Sequence, residues 1–432
     1  MSDPGCLFNR TDAKLVMLAV VLGLFVIAIG TLARAQSESV LYTFCSQGSC
    51  ADGALPYGNL IMDAAGNIYG TTFYGGTYDC GYPYLGCGVV FELAPSGVET
   101  VRHDFHWGYG SFPEGSLILD AKGNLYGATV GRDFPGFGSF LGSVFKLEPR
   151  SYRYLYRFSD LSIGALPNSG LAMDGEGNLY GTTEYGGVNS CGTGWGCGTV
   201  FKLTPSGEQT VLYNFAGAPD GERPNGGLVL DREGNVYGTT VGGGATNTNC
   251  AAGSFCGTVF KVAPSGDETI LYRFKGGDDG GNPLAGLAID KRGNLYGTTE
   301  IGGGETNNGT VFKVTPGGKE SVLHSFAGGM DGSLPLASVT LDGKGNLYGT
   351  TGEGGGSGCS ESAGCGTVFE ISRGGVTILY RFTGGADGGF PEGGLVLDGQ
   401  GNLYGTTVAG GGTQCQSFYS NTGCGVTFKL TP

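Results

Sequence analysis

Twelve of the thirteen cysteines fall into six close pairs: Cys45/Cys50, Cys80/Cys87, Cys191/Cys197, Cys250/Cys256, Cys359/Cys365 and Cys415/Cys424. Thiols this near in sequence either close small disulfide loops or hold a metal. Structural zinc prefers Cys-x(2–4)-Cys pairs that converge, or histidines beside them. These spacings are mostly longer, and the chain has only three histidines. The six pairs therefore read as disulfides, and no metal ligand set is expected. Cys6 stands apart, before an apolar run and without the leucine-containing motif that marks a lipid-carrying cysteine.

Carboxylates are the next chemistry. Glu114, Glu184, Glu300, Glu353 and Glu392 do not occur in every repeat, so they are the acids that a polysaccharide-cleaving site would draw on. Two carboxyl groups flanking a glycosidic bond suffice for its hydrolysis or elimination. Asp63, Asp120, Asp174, Asp231, Asp290, Asp342 and Asp398 recur in a tight turn of every repeat, which reads as turn capping. Asp52, Asp220, Asp279, Asp331 and Asp387 each precede a glycine in longer loops, again a turn dipeptide. Calcium is the alternative for these loops, although no EF-hand or nonapeptide ligand pattern is present. His103 and His324 replace a tyrosine in a repeated strand, and His106 sits beside Trp107 in a loop. No Ser-His-Asp set, histidine metal cluster or nucleophilic cysteine is visible, so no catalytic residue is assigned.

Aromatic side chains are the third kind. Tyr78, Tyr82, Tyr84, Trp107, Tyr109, Phe112, Tyr185 and Trp195 lie in the loops of three consecutive repeats, with Tyr74, Phe134, Phe137 and Phe140 nearby. Exposed aromatic rings stack on sugars or on protein partners. The alternative is that these rings cover glycine-rich loops as local packing.

The elements that must position these groups follow from composition and repetition. Of 432 residues, 89 are glycine, 11% are aromatic and 14% are charged. Glycine at this level excludes a helical protein, and the aromatic content excludes a disordered linker. The string Gly-Asn-(Leu/Ile/Val)-Tyr-Gly occurs seven times, with asparagines at Asn67, Asn124, Asn178, Asn235, Asn294, Asn346 and Asn402. Each repeat holds four short strand-like segments. In the fourth copy they are 210–215, 227–231, 235–240 and 257–262. Asp-x-x-Gly joins the second to the third, and Pro-Ser-Gly joins the fourth to the next first; both are tight turns. The other two connections are long and variable.

Four antiparallel strands per repeat, seven times over, predict an all-β, seven-bladed β-propeller. A parallel β-helix would not need two tight reversals per repeat. The chain starts with a first-type segment at 39–44 and ends with a fourth-type segment at 426–430. The N-terminal strand is therefore expected to complete the last blade and close the ring, which removes open sheet edges. Both tight turns then lie on one face. The long loops, with all six cysteine pairs, lie on the other.

Basic residues, an apolar run from Leu15 to Ile29 and Ala33-Arg34-Ala35 form a signal-peptide order. Residues 1–35 are expected to be a cleaved signal, or else an uncleaved membrane anchor. Residues 36–432 form the propeller outside the cytoplasm. The N-terminal 35 residues carry +1, so the remainder stands near −15. That charge disfavours nucleic acid and anionic membrane as partners.

The units Gly-Asn-Leu-Tyr-Gly-Thr-Thr and Gly-Thr-Val-Phe-Lys-Leu-Thr-Pro, separated by a glycine-rich loop, resemble the GloVer tandem repeat. Proteins bearing it are called choice-of-anchor tandem repeat GloVer-containing proteins. The resemblance covers residues 39–432 and implies a propeller on a bacterial cell surface; it carries over no catalytic residues. The stretch from Pro391 to Tyr404 is also similar to NHL-type propeller repeats. No C-terminal anchor motif is seen. The expectation is an exported, monomeric, non-enzymatic propeller without a cofactor. Its partner would be a polysaccharide or a cell-surface protein, held by the disulfide-pinned loop face. A polysaccharide-degrading enzyme and a purely structural envelope protein are the alternatives.

Overall fold

A computed structural model describes residues 37–80, 86–107, 110–131, 141–192, 194–245, 256–356, 358–359, 364–412 and 423–431. The signal or anchor segment, Tyr82, Tyr84, Tyr109, Phe134, Phe137, Phe140, Cys250 and Cys415 lie outside these residues.

The repeated glycine before Thr-Thr shows why the repeat is so regular. A Cβ at Gly238 would stand 2.6 Å from the Phe260 ring, and Gly297 meets Phe312 at the same distance. Only glycine lets the phenylalanine of the neighbouring strand lie flat across this one. The Asp-x-x-Gly turn is equally specified. Asp231 accepts the backbone N–H groups of Glu233 and Asn235, both at 2.9 Å, on one oxygen. Its other oxygen accepts Asn235 Nδ2 at 2.7 Å and the Tyr237 hydroxyl at 2.9 Å. Gly234 closes the turn at φ +82°, a conformation open to glycine at little cost.

These turns fold the chain into seven antiparallel sheets. The fourth blade runs Val229–Leu230, Val236–Gly242, Thr258–Val262 and Glu268–Arg273, with an extra short strand, Glu222–Pro224, on its loop side. The second segment was expected to be a strand of five residues, but only two of them pair. The residues before it turn away to crowd the ring axis. The last blade is completed by the N-terminus: Ser37–Thr43 pairs with Val426–Thr431, from Ser37 opposite Thr431 to Thr43 opposite Val426. The expected closure of the ring is therefore present.

Neighbouring blades are joined by phenylalanine pairs. Phe215, just past the outer strand of the third blade, meets Phe260 of the fourth edge-on with ring centres 5.0 Å apart. Phe44/Phe91, Phe274/Phe312 and Phe382/Phe428 repeat that geometry at 5.0 Å. All eight rings are buried, so each seam is a strip of core. Threonine hydroxyls add bonds across the seams, as from Thr239 to the Ala285 carbonyl at 3.0 Å. No described helix is long and apolar enough to cross a membrane.

Candidate binding site on the loop face

The long loops are pinned as expected. Cys45–Cys50, Cys80–Cys87, Cys191–Cys197 and Cys359–Cys365 are disulfides. Cys256 and Cys424 are also disulfide-bonded. Cystines of this density belong to an oxidising, extracytoplasmic compartment.

Most loop acids prove to be structural. Tyr213 donates to Asp220 at 2.7 Å, Tyr272 to Asp279 at 2.6 Å and Tyr42 to Asp52 at 2.7 Å. Each aspartate also accepts a backbone N–H just past the strand, as from Ala216 at 2.8 Å. His324 takes the tyrosine's place and lies 3.1 Å from Asp331. His103 stacks on Tyr152 with ring centres 3.7 Å apart, and burial, with His106 nearby, pulls its pKa down to about 4. His106 contacts the Trp107 carbonyl at 3.0 Å and the Tyr78 ring edge at 5.8 Å. In six of the seven tight turns the aspartate also takes a tyrosine hydroxyl. Their lone pairs are already occupied by donors. Calcium chelation is accordingly expected to leave the melting temperature unchanged, whereas Asp231→Ala should cost about 1–3 kcal/mol by orphaning its donors. A chelator-induced drop in calorimetry would overturn this.

The segments leading into the innermost strands lie close between neighbouring blades: a Cβ at Gly115 would stand 2.5 Å from the Ser169 carbonyl and one at Gly226 2.3 Å from the Ala285 carbonyl. Asn59 links three consecutive blades, donating from Nδ2 to Ser338 Oγ at 3.0 Å and accepting the Gly394 N–H at 2.6 Å. The residues that follow the seven corner prolines, among them Tyr57, Glu114, Asn168, Asn225 and Glu392, are all half-buried. Burial pushes Glu392 up to about 7, and it raises Glu300 and Glu353 as well. Glu300 accepts a bond from Asn282 Nδ2. Glu184 and Glu300 directly follow the ends of their strands, and Glu353 follows one residue later.

The densest constellation lies where the third blade meets the fourth. Arg223 donates from Nε and Nη2 to one Glu184 oxygen at 3.0 and 2.6 Å. Asn168 Nδ2 donates to the other oxygen at 3.1 Å. The Arg223 guanidinium lies 5.6 Å from the Tyr185 ring centre. The next residue, Gly186, donates its N–H to the Trp195 carbonyl at 2.6 Å, which brings Trp195 alongside. Trp195 is 48% exposed and Val188 74%. The Cys191–Cys197 disulfide spans this loop.

The aromatic candidates thus separate. Tyr78 and Trp195 are exposed, and Tyr185 and Trp107 are partly buried. Phe112 is a correction: it is 1% exposed and packs on Phe73 at 5.1 Å. It precedes corner Pro113, and the residue at that place takes a left-handed conformation, as do Leu55, Leu166 and Leu334, although of these only Leu55 shares its burial. Sequence reasoning missed Arg223 and Asn168. Arg223 occupies the same pre-proline place, so a charge where most copies have leucine or phenylalanine was the available signal.

Hollows also open on the turn face. One of about 760 Å³ lies between the second and third blades, lined by Leu119, Asp120, Lys146, Arg153 and Met173. Its aspartate is one of the turn caps already occupied.

No curated protein matches the chain. Among solved structures, the extracellular domain of a provisionally assigned one component system from B. thetaiotaomicron aligns at 11% identity and TM-score 0.51. The alignment covers 90% of this chain but only 39% of that one. The extracellular domain of a hybrid two component system from the same organism aligns at 14% identity and TM-score 0.49, over 90% of this chain and 40% of that one. A provisionally assigned gluconolactonase aligns at 13% identity and TM-score 0.41, over 80% and 94%. Likeness at these identities speaks for the fold alone. Residues 27–195 and 194–419 match the family model described as the Gloeobacter/Verrucomicrobia repeat.

Proposed function

Since the chain belongs to the Gloeobacter/Verrucomicrobia repeat family, we propose that it is an extracytoplasmic, non-enzymatic binding module, and that its loop face takes a neutral polysaccharide at the third blade. The observation that carries this reading is exposed Trp195 beside the Tyr185–Arg223–Glu184–Asn168 group on a disulfide-pinned loop. A sugar presents an apolar C–H face to a ring and hydroxyls to paired donors and acceptors. Trp195 supplies the first. Asn168, Arg223 and Glu184 supply the second, held rigid by their mutual bonds. Glu184 already neutralises Arg223, and the remainder of the protein is strongly negative, so an anionic polymer gains little here. The protein acts as a monomer at the cell surface, in the periplasm or secreted.

The test is calorimetric titration of residues 36–432, made under oxidising conditions, against neutral bacterial and plant polysaccharides. Saturable binding is expected, weakened at least about tenfold in Trp195→Ala and Arg223→Ala, which is about 1.4 kcal/mol. Absence of binding to every glycan, or binding indifferent to both changes, overturns the reading in favour of a protein partner or a structural role.

A second reading rests on Glu392. A half-buried carboxyl whose pKa is pushed up to about 7 by desolvation is suited to donate a proton to a leaving glycosidic oxygen. Release of new reducing ends in the same mixtures, lost in Glu392→Gln, would favour a polysaccharide-cleaving enzyme.

A further inference from the structure

The turn-side end of each outer strand is built alike in six blades. There a small hydroxyl residue faces a charged side chain of the neighbouring strand: Ser39, Thr100, Thr210, Thr269, Ser321 or Thr377. In the second blade the residue at that place is Arg153, and it stands directly opposite Lys146. Like charges opposed across a strand pair are destabilising, and the packing of the repeat does not call for an arginine there. Both cations line the hollow of about 760 Å³ between the second and third blades. Lys146 pairs with Glu148 at 2.6 Å and lies 5.6 Å from the centre of the Tyr126 ring. The other Glu148 oxygen accepts the Ser151 hydroxyl at 2.8 Å. Glu148 is thereby occupied, and exposed Arg153 forms no ion pair among the described residues.

The acids of the hollow do not serve Arg153 either. Asp120 takes the Lys122 and Asn124 N–H groups on one oxygen, and Asn124 Nδ2 and the Tyr126 hydroxyl on the other. Asp174 is wrapped in the same way. Two other turn-face hollows show what is particular here. The one of about 710 Å³ between the seventh and first blades has Lys429 against Asp63 and Asp398, and Ser39 faces that lysine. The one of about 660 Å³ across the third to fifth blades has four acids against Arg232 and Lys291. Both carry an excess of acid. Beside Arg153, three bases balance three acids, on a chain whose net charge is −14.

We propose that the hollow between the second and third blades binds an amphiphile, an apolar chain that ends in a carboxylate or phosphate. The Arg153 fork offers two parallel N–H groups to such a head. Lys146, which keeps donors beyond its bond to Glu148, closes on the head from the facing strand. An anion between them turns a repulsive pair into a clamp. The chain lies on the apolar wall, where Leu155 and Leu171 are buried and Ile118, Leu119 and Met173 stand beside them. The volume is that of a small-molecule site. This hollow is on the face opposite Trp195, so the inference does not depend on what the loop face binds.

The experiment is calorimetric titration of residues 36–432, made under oxidising conditions, with octanoate, octyl phosphate and 1-octanol. Low ionic strength is used because salt screens an exposed pair. A saturable site is expected for octanoate or octyl phosphate, and the tighter of the two tells a carboxylate head from a phosphate. The neutral alcohol should bind at least about tenfold more weakly. Arg153→Thr, which restores the residue type of the other copies, should weaken the anion at least about tenfold and leave the alcohol unchanged. Its melting temperature without probe should hold or rise, because the opposed charges are gone. Arg273→Thr is the control: that arginine donates to the Pro219 carbonyl, away from the hollow, and anion binding should not change. Absence of saturable binding by both anions overturns the proposal. So does equal binding of 1-octanol, or anion binding indifferent to Arg153→Thr.

Discussion

The melting temperature of the propeller is expected to fall as pH rises from about 4.5 to 7. At four seams a glutamate that opens an outer strand faces the tyrosine and aspartate of the preceding blade. Glu99 faces Asp52 and Tyr42. Glu268 faces Asp220, with Tyr213 and Arg273 near it. Glu320 faces Asp279, with Tyr272 and Lys275 near it. Glu38 faces Asp387, with Tyr380 near it. The turn before each glutamate lies against the neighbouring strand: a Cβ at Gly318 would stand 2.7 Å from the Leu271 carbonyl. Burial first, and the neighbouring aspartate second, push all four glutamates up to about 7.

The folded value thus lies above the ordinary one of 4.5. Stability from these groups is fully present below about 4.5 and is lost as pH rises through about 7. Each group is half-buried rather than sealed from solvent, so screening reduces its individual share. The effect becomes large because four seams weaken together. At the acid end the turn aspartates act oppositely. Burial opposes their ionisation, but donated hydrogen bonds outweigh it and hold Asp231, Asp290 and Asp398 below the usual 3.8. Their contribution is present above about 3.8 and is lost as pH falls through the lowered values. Calorimetry should therefore show a maximum at about pH 4, a decline between about pH 4.5 and 7, and little further change from these groups above that. Replacing the four glutamates with glutamine should flatten the alkaline limb. An unchanged limb would show that the seams do not carry it.

Phe260→Ala is expected to cost about 3–5 kcal/mol, the usual price of deleting a fully buried aromatic ring. Phe260 is wholly buried, lies over Gly238 and meets Phe215 of the preceding blade edge-on. Its removal opens a void inside the blade and slackens the seam at the same time. The double change with Phe215→Ala should show a coupling of about 0.5–1.5 kcal/mol, because the two rings share one contact. Leu323→Ala, at a residue 36% exposed, is a control expected to move stability by less than about 0.5 kcal/mol. Guanidinium unfolding is measured for the unaltered chain, Phe260→Ala, Phe215→Ala, their double variant and Leu323→Ala. A cost for Phe260→Ala similar to that of Leu323→Ala would mean that the seam repacks.

The architecture was legible because its determinants repeat. Glycine under phenylalanine, aspartate capping its turn and a lone first-type segment at the N-terminus are each stated seven times or forced by what the seventh copy lacks. The site was less legible because the loops do not repeat. Trp195 and Phe112 look alike as loop aromatics, yet one stands in solvent and the other fills the core. What separates them is packing: Phe112 lies against Phe73 and Tyr74, a three-dimensional fact that the spacing of loop aromatics does not state. The Arg223–Glu184 pair joins adjacent repeats through different loops, so no spacing within one repeat announces it.

The pairing of Ser37 with Thr431 also fixes a direction in space. Outer strands climb from the turn face toward the loops, so Ser37 enters at the rim of the turn face. Whatever holds the protein through residues before Ser37 must pull from that side. A tethered propeller would stand with its turns toward the surface it is fixed to. Trp195 and the pinned loops would point away from it, into the surrounding medium.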